Sequence, residues 1–309
     1  MKLASYYGHV PSPKLMQPWD KWPLPKCNIG LEWEFERATG LSMAVPINSG
    51  YFSVHEDRSL RDNGMEIVTS GDGLFGQDLI AAIRTLDKII VDLPLAKKPV
   101  CNARTGFHVH IDIRDLEEKE LHNMLMLYCL LEKPIFNFVG MERWKSNFCV
   151  PWFRSDSQFG VLKQIEALGD TNIDVVASNV KALQRYSALN CQSISKFGTL
   201  EFRHMENISG EILTKQVEFI KLIMCLKIAA TTLFQHGGLF GSGLFEYCKA
   251  LSKYDLIRVL GYPLPPDDWD YPETLMQAIG LVNFKPRIRQ AWFVDAMFDR
   301  FSGKHPNWK

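Results

Sequence analysis

Three short segments of this chain alternate between apolar and ionisable residues with a period of two. They are Gly30-Leu31-Glu32-Trp33-Glu34-Phe35-Glu36, Phe107-His108-Val109-His110-Ile111-Asp112-Ile113 and Thr199-Leu200-Glu201-Phe202-Arg203. Side chains on a strand point alternately to its two faces, so residues i and i+2 share a face. The first segment therefore sets Glu32, Glu34 and Glu36 against Leu31, Trp33 and Phe35. The second sets His108, His110 and Asp112 against four apolar residues. The third makes Glu201 and Arg203 polar neighbours, and Met65-Glu66-Ile67 adds one more carboxylate between apolar residues.

Half-exposed antiparallel strands with a solvated outer face produce the same alternation. Glu and Asp are depleted in strands, however. Like charges on adjacent same-face positions also repel at a few ångströms. Three clustered Glu, a further Glu and two His stay together only where cations compensate them. Carboxylate oxygens with an occasional imidazole suit Mg²⁺ or Mn²⁺ better than zinc. Several carboxylates can hold more than one ion, the usual arrangement where phosphate groups are also bound. Arg203 is then a counterion for a carboxylate or phosphoryl oxygen.

The rest of the pattern predicts an α+β chain. Strands are expected at Asn28–Arg37, Met65–Thr69, Phe107–Ile113, Ser187–Ser193 and Gly198–His204, the last two around a Lys196-Phe197-Gly198 turn. His55–Gly64 reads as polar and turn-like, and Gly71–Gly76 as a loop. Helical periodicity covers Gln77–Asp92. A helix starts at Asp115, with Glu118 completing a capping box, and runs to Val139 with Pro134 bending or ending it. Further helices are expected at Asn172–Gln184, Glu211–Phe234, Phe245–Leu260, Glu273–Leu281 and Arg287–Phe301. Residues 1–309 read as one catalytic domain. Residues 1–26 form an irregular N-terminal segment, and 207–309 a helical part that is a candidate subdomain. Tyr262–Pro272 is the best linker candidate.

Composition narrows the partners. The chain carries 35 Lys+Arg against 35 Asp+Glu over 309 residues, with no basic block. Phosphate neutralisation needs a basic excess or patch, so neutral charge disfavours polymeric nucleic acid without excluding it. Seven cysteines include no Cys-x-x-Cys pair. They read as reduced, buried thiols in a cytoplasmic protein. Met1–Pro13 lacks an apolar core, so no signal peptide is expected. Leu222–Phe234 is too short to span a bilayer and is interrupted by Lys227. Oligomeric state is not legible in this sequence.

One rival motif is present. Gly71-Asp72-Gly73-Leu74-Phe75-Gly76 fits G-x-G-x-x-G, after a strand and before a helix. A dinucleotide site needs a second parallel strand ending in an acid some 20 residues on. Asp92 stands near that distance, but the residues before it continue the helical pattern. Gly237–Gly243 lacks the Lys of a phosphate-binding P-loop and reads as a helix-ending loop. His204 points to the Phe202 face and reads as packed. The other isolated histidines read as structural, with His55 a partial exception because it precedes Asp57. Cys191 has no His placed to activate it.

Four ordered motifs carry a resemblance: NIGLEWEFE (28–36), EDRSLRDNGMEIVTS (56–70), TGFHVHIDI (105–113) and RYSALNCQSISKFGTLEFR (185–203). Together they resemble the amidoligase family, a branch of the glutamine synthetase/glutamate–cysteine ligase group of carboxylate–amine ligases. The resemblance implies a curved, largely antiparallel sheet with a polar concave active-site face and helices packed on the other face. It implies divalent metals on Glu32, Glu34, Glu66, His108 and Glu201. It also implies that His110 faces the nucleotide and that Arg203 contacts the phosphoryl group or substrate. Arg185, Asn190 and Asp57 match positions assigned loosely to nucleotide or substrate, and Asp57, Glu66 and Arg203 are the candidate catalytic residues. Glu36 continues the polar face beyond the Glu-x-Glu pair. The segment Phe138–Val180 separates the third and fourth motifs as an insertion.

The implied activity is ATP- and Mg²⁺- (or Mn²⁺-) dependent ligation of a carboxylate to an amine through an acyl phosphate, on small-molecule or peptide substrates. Two other classes stay open on the residues alone. One is another enzyme, either a metal-dependent hydrolase on the same cluster or an NAD-dependent oxidoreductase using the glycine loop. The other is a catalytically silent binding protein with the same fold.

Overall fold

The computed structural model describes residues 27–230, except 46–49, 72, 153–184, 208–214 and isolated positions within 118–137 and 218–229. The expected irregular segment 1–26, the helix 172–184, the helices beyond 234 and the 262–272 linker lie outside the described residues. The strands are β1 (Ile29–Phe35), β2 (Phe52–Glu56), β3 (Met65–Thr69), β4 (Gly106–Asp112), β5 (Leu189–Asn190) and β6 (Thr199–Glu206). The helices are α1 (Thr39–Ala44), α2 (Gln77–Asp92) and α3 (Ser193–Phe197), with 3-10 turns at Leu95–Lys97 and Met141–Lys145. Described positions within 120–139 and 215–230 are also helical.

The strands form one six-stranded sheet in the order β2-β3-β1-β4-β6-β5. Every pairing in it is antiparallel. The architecture is thus α+β. The order brings together the four strands that carry ionisable residues on one face, β3, β1, β4 and β6.

The other face is the core. Leu31, Trp33 and Phe35 are 2% exposed or less. The Trp33 ring lies 6.0 Å from Phe52 and 5.5 Å from Phe107. On α2, Leu79, Ala82, Ile83, Leu86 and Ile90 are buried at helical spacing, which joins its apolar stripe to the same core. Gln216, in the helical stretch 215–230, accepts a hydrogen bond from the Trp33 indole N–H at 3.2 Å. Fully burying each such large apolar side chain contributes about 1.5–3 kcal/mol.

A bulge interrupts the β4–β6 ladder between Phe107 and Val109. Phe107 pairs with Met205 but Val109 with Phe202, so β6 carries one extra residue opposite His108. Strict alternation would send Phe202 and Met205 to opposite faces. The bulge lets Phe202, His204 and Met205 all be buried while Arg203 stays on the polar side.

Three expectations need correction. The stretch 55–64 does not open as a turn, because Phe52–Glu56 is an edge strand paired to β3. Its Phe52-Ser53-Val54-His55 run does alternate, but over only five residues that pass straight into a polar loop. Asp115 lies in a turn, not a helix. Its carboxylate accepts from Lys227 Nζ at 2.6 Å, and the capping carboxylate is Glu120, which takes the Glu117 N–H at 2.6 Å. Finally, 187–193 is strand only at Leu189–Asn190, and the Lys-Phe-Gly turn is the end of α3. There Gly198 is the left-handed cap, at φ 67°, a conformation that glycine adopts without strain. Among the described residues no helix is long and apolar enough to cross a membrane.

Candidate active site

The polar face of β1, β4 and β6 gathers two groups of potential metal ligands. Glu32, Glu34 and His108 form one, and Glu32, His110 and Glu201 the other. Within each group one ligand atom per residue lies within 4.8 Å of the others. Register explains the gathering. Glu32 stands opposite His108 across β1–β4, and His110 opposite Glu201 across β4–β6. Glu32 is the residue common to both groups.

His108 is fully buried. Its Nδ1 lies 2.6 Å from Glu32 Oε1 and 3.5 Å from Glu201 Oε1. Its Nε2 has no hydrogen-bond partner among the described residues and lies 3.7 Å from Glu34 Oε1. His110 Nε2 lies 3.6 Å from Glu32 Oε2 and 4.0 Å from Glu201 Oε2. Its Nδ1 pairs with Thr199 Oγ1 at 3.0 Å. The resemblance gave His110 to the nucleotide; here it also sits at ligand distance from two carboxylates.

Arg203 is the guanidinium beside these carboxylates. It is bonded to Glu201 Oε1, lies 3.7 Å from Glu34 Oε1 and is only 6% exposed. Asn190 Nδ2 donates to Glu201 Oε2 at 2.7 Å, and the Asn190 Oδ1 accepts from the Gln192 N–H at 2.9 Å. Asn190 thus orients a site carboxylate.

Burial alone would raise the Glu32 and Glu201 pKa values. His108 and His110 outweigh it at Glu32 and hold that carboxyl well below the usual range. Arg203, then His110, outweigh it at Glu201 and lower that carboxyl as well. Burial would lower His110, but hydrogen bonding to Glu32 and the charge of Glu201 raise it. Among the described residues no such cation offsets the charge at Glu66. Burial, then the charges of Glu32, Asp57, Glu34 and Glu201, push it up to about 8. Arg203, His110 and a protonated Glu66 balance much of this negative charge in the metal-free site, and a divalent cation would take the place of those protons. A buried imidazole nitrogen without a partner, and donors that are oxygen and nitrogen only, fit a hard divalent cation.

A cavity of about 670 Å³ opens on this face, lined in part by Glu32, Glu66, His110, Asn190, Glu201 and Arg203. Arg114, Arg185 and Lys196 line it as well. Glu34 and His108, both buried, lie behind Glu32. Glu66 stands opposite Glu34 in the β1–β3 register but belongs to neither ligand group. His55, opposite Glu66 on β2, lines the cavity too.

Three acids on these strands are used elsewhere. Asp57 shapes the turn after β2, its Oδ1 accepting from the Ser59 N–H at 2.8 Å, and it does not line the cavity. Glu36 ties loops together through Asn102 Nδ2 at 2.7 Å, the Arg61 N–H at 3.1 Å and Arg104 Nε at 3.3 Å. Asp112 is taken by Arg114, with Nε at 2.9 Å and NH2 at 2.8 Å. Sequence reading missed Thr199, which orients His110. It ends the fourth motif's turn, but nothing in its spacing marks its partner.

The glycine loop has a structural reason. Gly73 sits at φ 91°, where a Cβ would come within 3.0 Å of the Ile29 carbonyl oxygen. Leu74 and Ile29 exchange two backbone hydrogen bonds of 2.8 Å. Asp92, the acid that a dinucleotide site would place on a strand, is the last residue of α2.

No curated protein matches the chain. Residues 55–209, half of its length, match a family model described as "Putative amidoligase enzyme". That span holds the end of β2 and all of β3 to β6, and so His108, His110, Glu201 and Arg203; β1, with Glu32 and Glu34, precedes it and completes the site. The chain belongs to this amidoligase family.

Proposed function

We propose that this enzyme is an ATP- and divalent-metal-dependent carboxylate–amine ligase with a glutamine synthetase-like catalytic fold, its polar sheet face concave. The observation that carries the reading is Glu32, shared by two ligand groups at the floor of a cavity that also holds four basic residues. A carboxylate is a poor electrophile. Transfer of the ATP γ-phosphoryl group to it releases ADP and makes an acyl phosphate, and an amine then attacks the acyl carbon, expelling inorganic phosphate and losing a proton to form the amide. Mg²⁺ or Mn²⁺, when bound, neutralises phosphate charge and helps to align the phosphoryl group.

The chain's own residues do the positioning. Glu32, Glu34, His108 and Glu201 hold the cation site, with Glu66 beside it and His110 at ligand distance. Arg203 is placed to meet charge on the transferring phosphoryl oxygens. Arg185 and Lys196 supply positive charge along the same cavity for the rest of the triphosphate. Two of these ligands, His108 and Glu34, are buried behind the cavity and so held away from bulk water. The carboxylate and the amine are small molecules or peptides in this reading, and the setting is cytoplasmic.

Calorimetric titration of ATP into the purified protein, with and without Mg²⁺, tests this, with NAD as the control. Mg²⁺-dependent ATP binding is expected, followed by ADP release on screening carboxylate and amine pairs. Absence of ATP binding under both conditions, or NAD binding in its place, would remove the reading.

A further inference from the structure

The Thr105–Gly106 peptide lies between a buried guanidinium and a site carboxylate. Its N–H donates to Glu34 Oε2 at 2.6 Å. Its carbonyl accepts from Arg143 NH1 at 3.0 Å and from the Asn207 backbone N–H at 3.0 Å. These are the two ends of one planar amide, so neither can turn without the other. A cation at the oxygen and an anion at the N–H each strengthen the other's bond.

Arg143 sits on the 3-10 turn Met141–Lys145, outside the sheet. It is 1% exposed. Burying a guanidinium is costly, and a neutral amide would serve a bond that merely held a carbonyl. Among the described residues its Nε and NH2 have no hydrogen-bond partner, and its charge meets the Thr105 carbonyl, the Cys149 thiol and His204. Gly106 makes the close approach possible, since a Cβ there would lie 2.3 Å from His108 Nε2 and 3.1 Å from Arg143 NH2. Asn207 reinforces the same point, with its Nδ2 donating to the Glu34 carbonyl at 2.7 Å.

We propose that Arg143 is a positioning residue for Glu34. It fixes the 105–106 peptide, which occupies Oε2 and leaves Oε1 facing His108 Nε2 and Arg203, each at 3.7 Å. The inference rests on the reading of Glu34 as a metal ligand. It explains how one carboxylate in a crowded acidic face presents a single defined oxygen.

The test is Mn²⁺ binding to the full chain, followed by the electron paramagnetic resonance signal of free Mn²⁺. Wild type, Arg143→Lys, Glu34→Gln and the double variant are compared. Lysine keeps the charge but is shorter, and its freely turning ammonium does not fix the donor that NH1 aims at the Thr105 carbonyl. Arg143→Lys is expected to weaken Mn²⁺ binding about tenfold. In the Glu34→Gln background the same change should add nothing further. Additive losses, or unchanged affinity in Arg143→Lys, would overturn the inference. Unchanged affinity in Glu34→Gln would instead overturn the ligand reading of Glu34. If Arg143→Lys does not fold, the Gly106 amide proton decides. Glu34→Gln should move its resonance upfield and speed its exchange, and an unmoved resonance would refute the link.

Discussion

Glu32 and His108 are register partners across β1 and β4, with Oε1 and Nδ1 2.6 Å apart. The other oxygen of Glu32 lies 3.6 Å from His110 Nε2. One carboxylate therefore joins both ligand groups. Glu32→Gln should weaken Mn²⁺ binding about 100-fold, more than Glu34→Gln or Glu201→Gln, and should stop turnover. Calorimetry with Mn²⁺ alone checks the ranking. Equal losses in all three variants would contradict the shared role.

Glu66 carries a pKa pushed up to about 8 by burial first and by neighbouring carboxylates second, from an ordinary 4.5. The folded, metal-free protein therefore holds a proton that the unfolded chain has lost between those values. The sign follows: metal-free stability should fall as pH rises from about 4.5 to about 8, and Glu66→Gln should flatten that slope. Mg²⁺ binding near neutral pH should release a proton. Titrations in buffers of different ionisation enthalpy would reveal it, and buffer-independent heats would count against it.

His204 gives the opposite dependence. Burial, then the charge of Arg143, pushes its pKa down to about 3 from 6.5. Tyr128 donates to Glu132 Oε1 at 2.6 Å, so at the 3.0 Å contact His204 Nε2 is the donor to the Tyr128 oxygen. The Nδ1 is left unprotonated and without a partner. The unfolded chain takes a proton first as pH falls. Stability should thus drop between about pH 6.5 and 3, by at most about 1.4 kcal/mol per pH unit. Urea midpoints for wild type and His204→Gln across pH 7 to 4 would test this; parallel curves would refute it.

Gly73→Ala should destabilise the fold by about 1–2 kcal/mol through its positive φ alone. The close Ile29 carbonyl adds to the strain. A thermal scan reads the loss. An unchanged midpoint would mean that the loop is not held against β1.

The strands that cross the middle of the sheet were legible because each has one apolar and one ionisable face. Ile29–Phe35 and Gly106–Asp112 needed only the period of two. β2 alternates as well, Phe52 and Val54 against Ser53 and His55, but over a five-residue edge strand too short to stand out from the polar loop that follows. The grouping of Glu32, His108, His110 and Glu201 follows from faces plus strand order, and order was suggested only by the motifs. Glu36 and Asp112 share those faces but are drawn off by Arg104 and Arg114, a matter of tertiary distance that alternation does not encode. Arg143 and Thr199 were missed for the same reason, because each acts on a residue far away in sequence.

The extra residue in β6 opposite His108 makes one strand obey two phases. Before it, odd positions face the cavity; after it, that parity lapses. A search that demands unbroken alternation would discard chains built this way, whereas two consecutive inward residues after a Glu-x-Arg strand would mark them. Deleting one residue at 204 or 205 should restore a single phase. Either deletion would leave the residue opposite Phe107 on the same face as Phe202, so the strand beyond would keep its facing and lose one buried side chain.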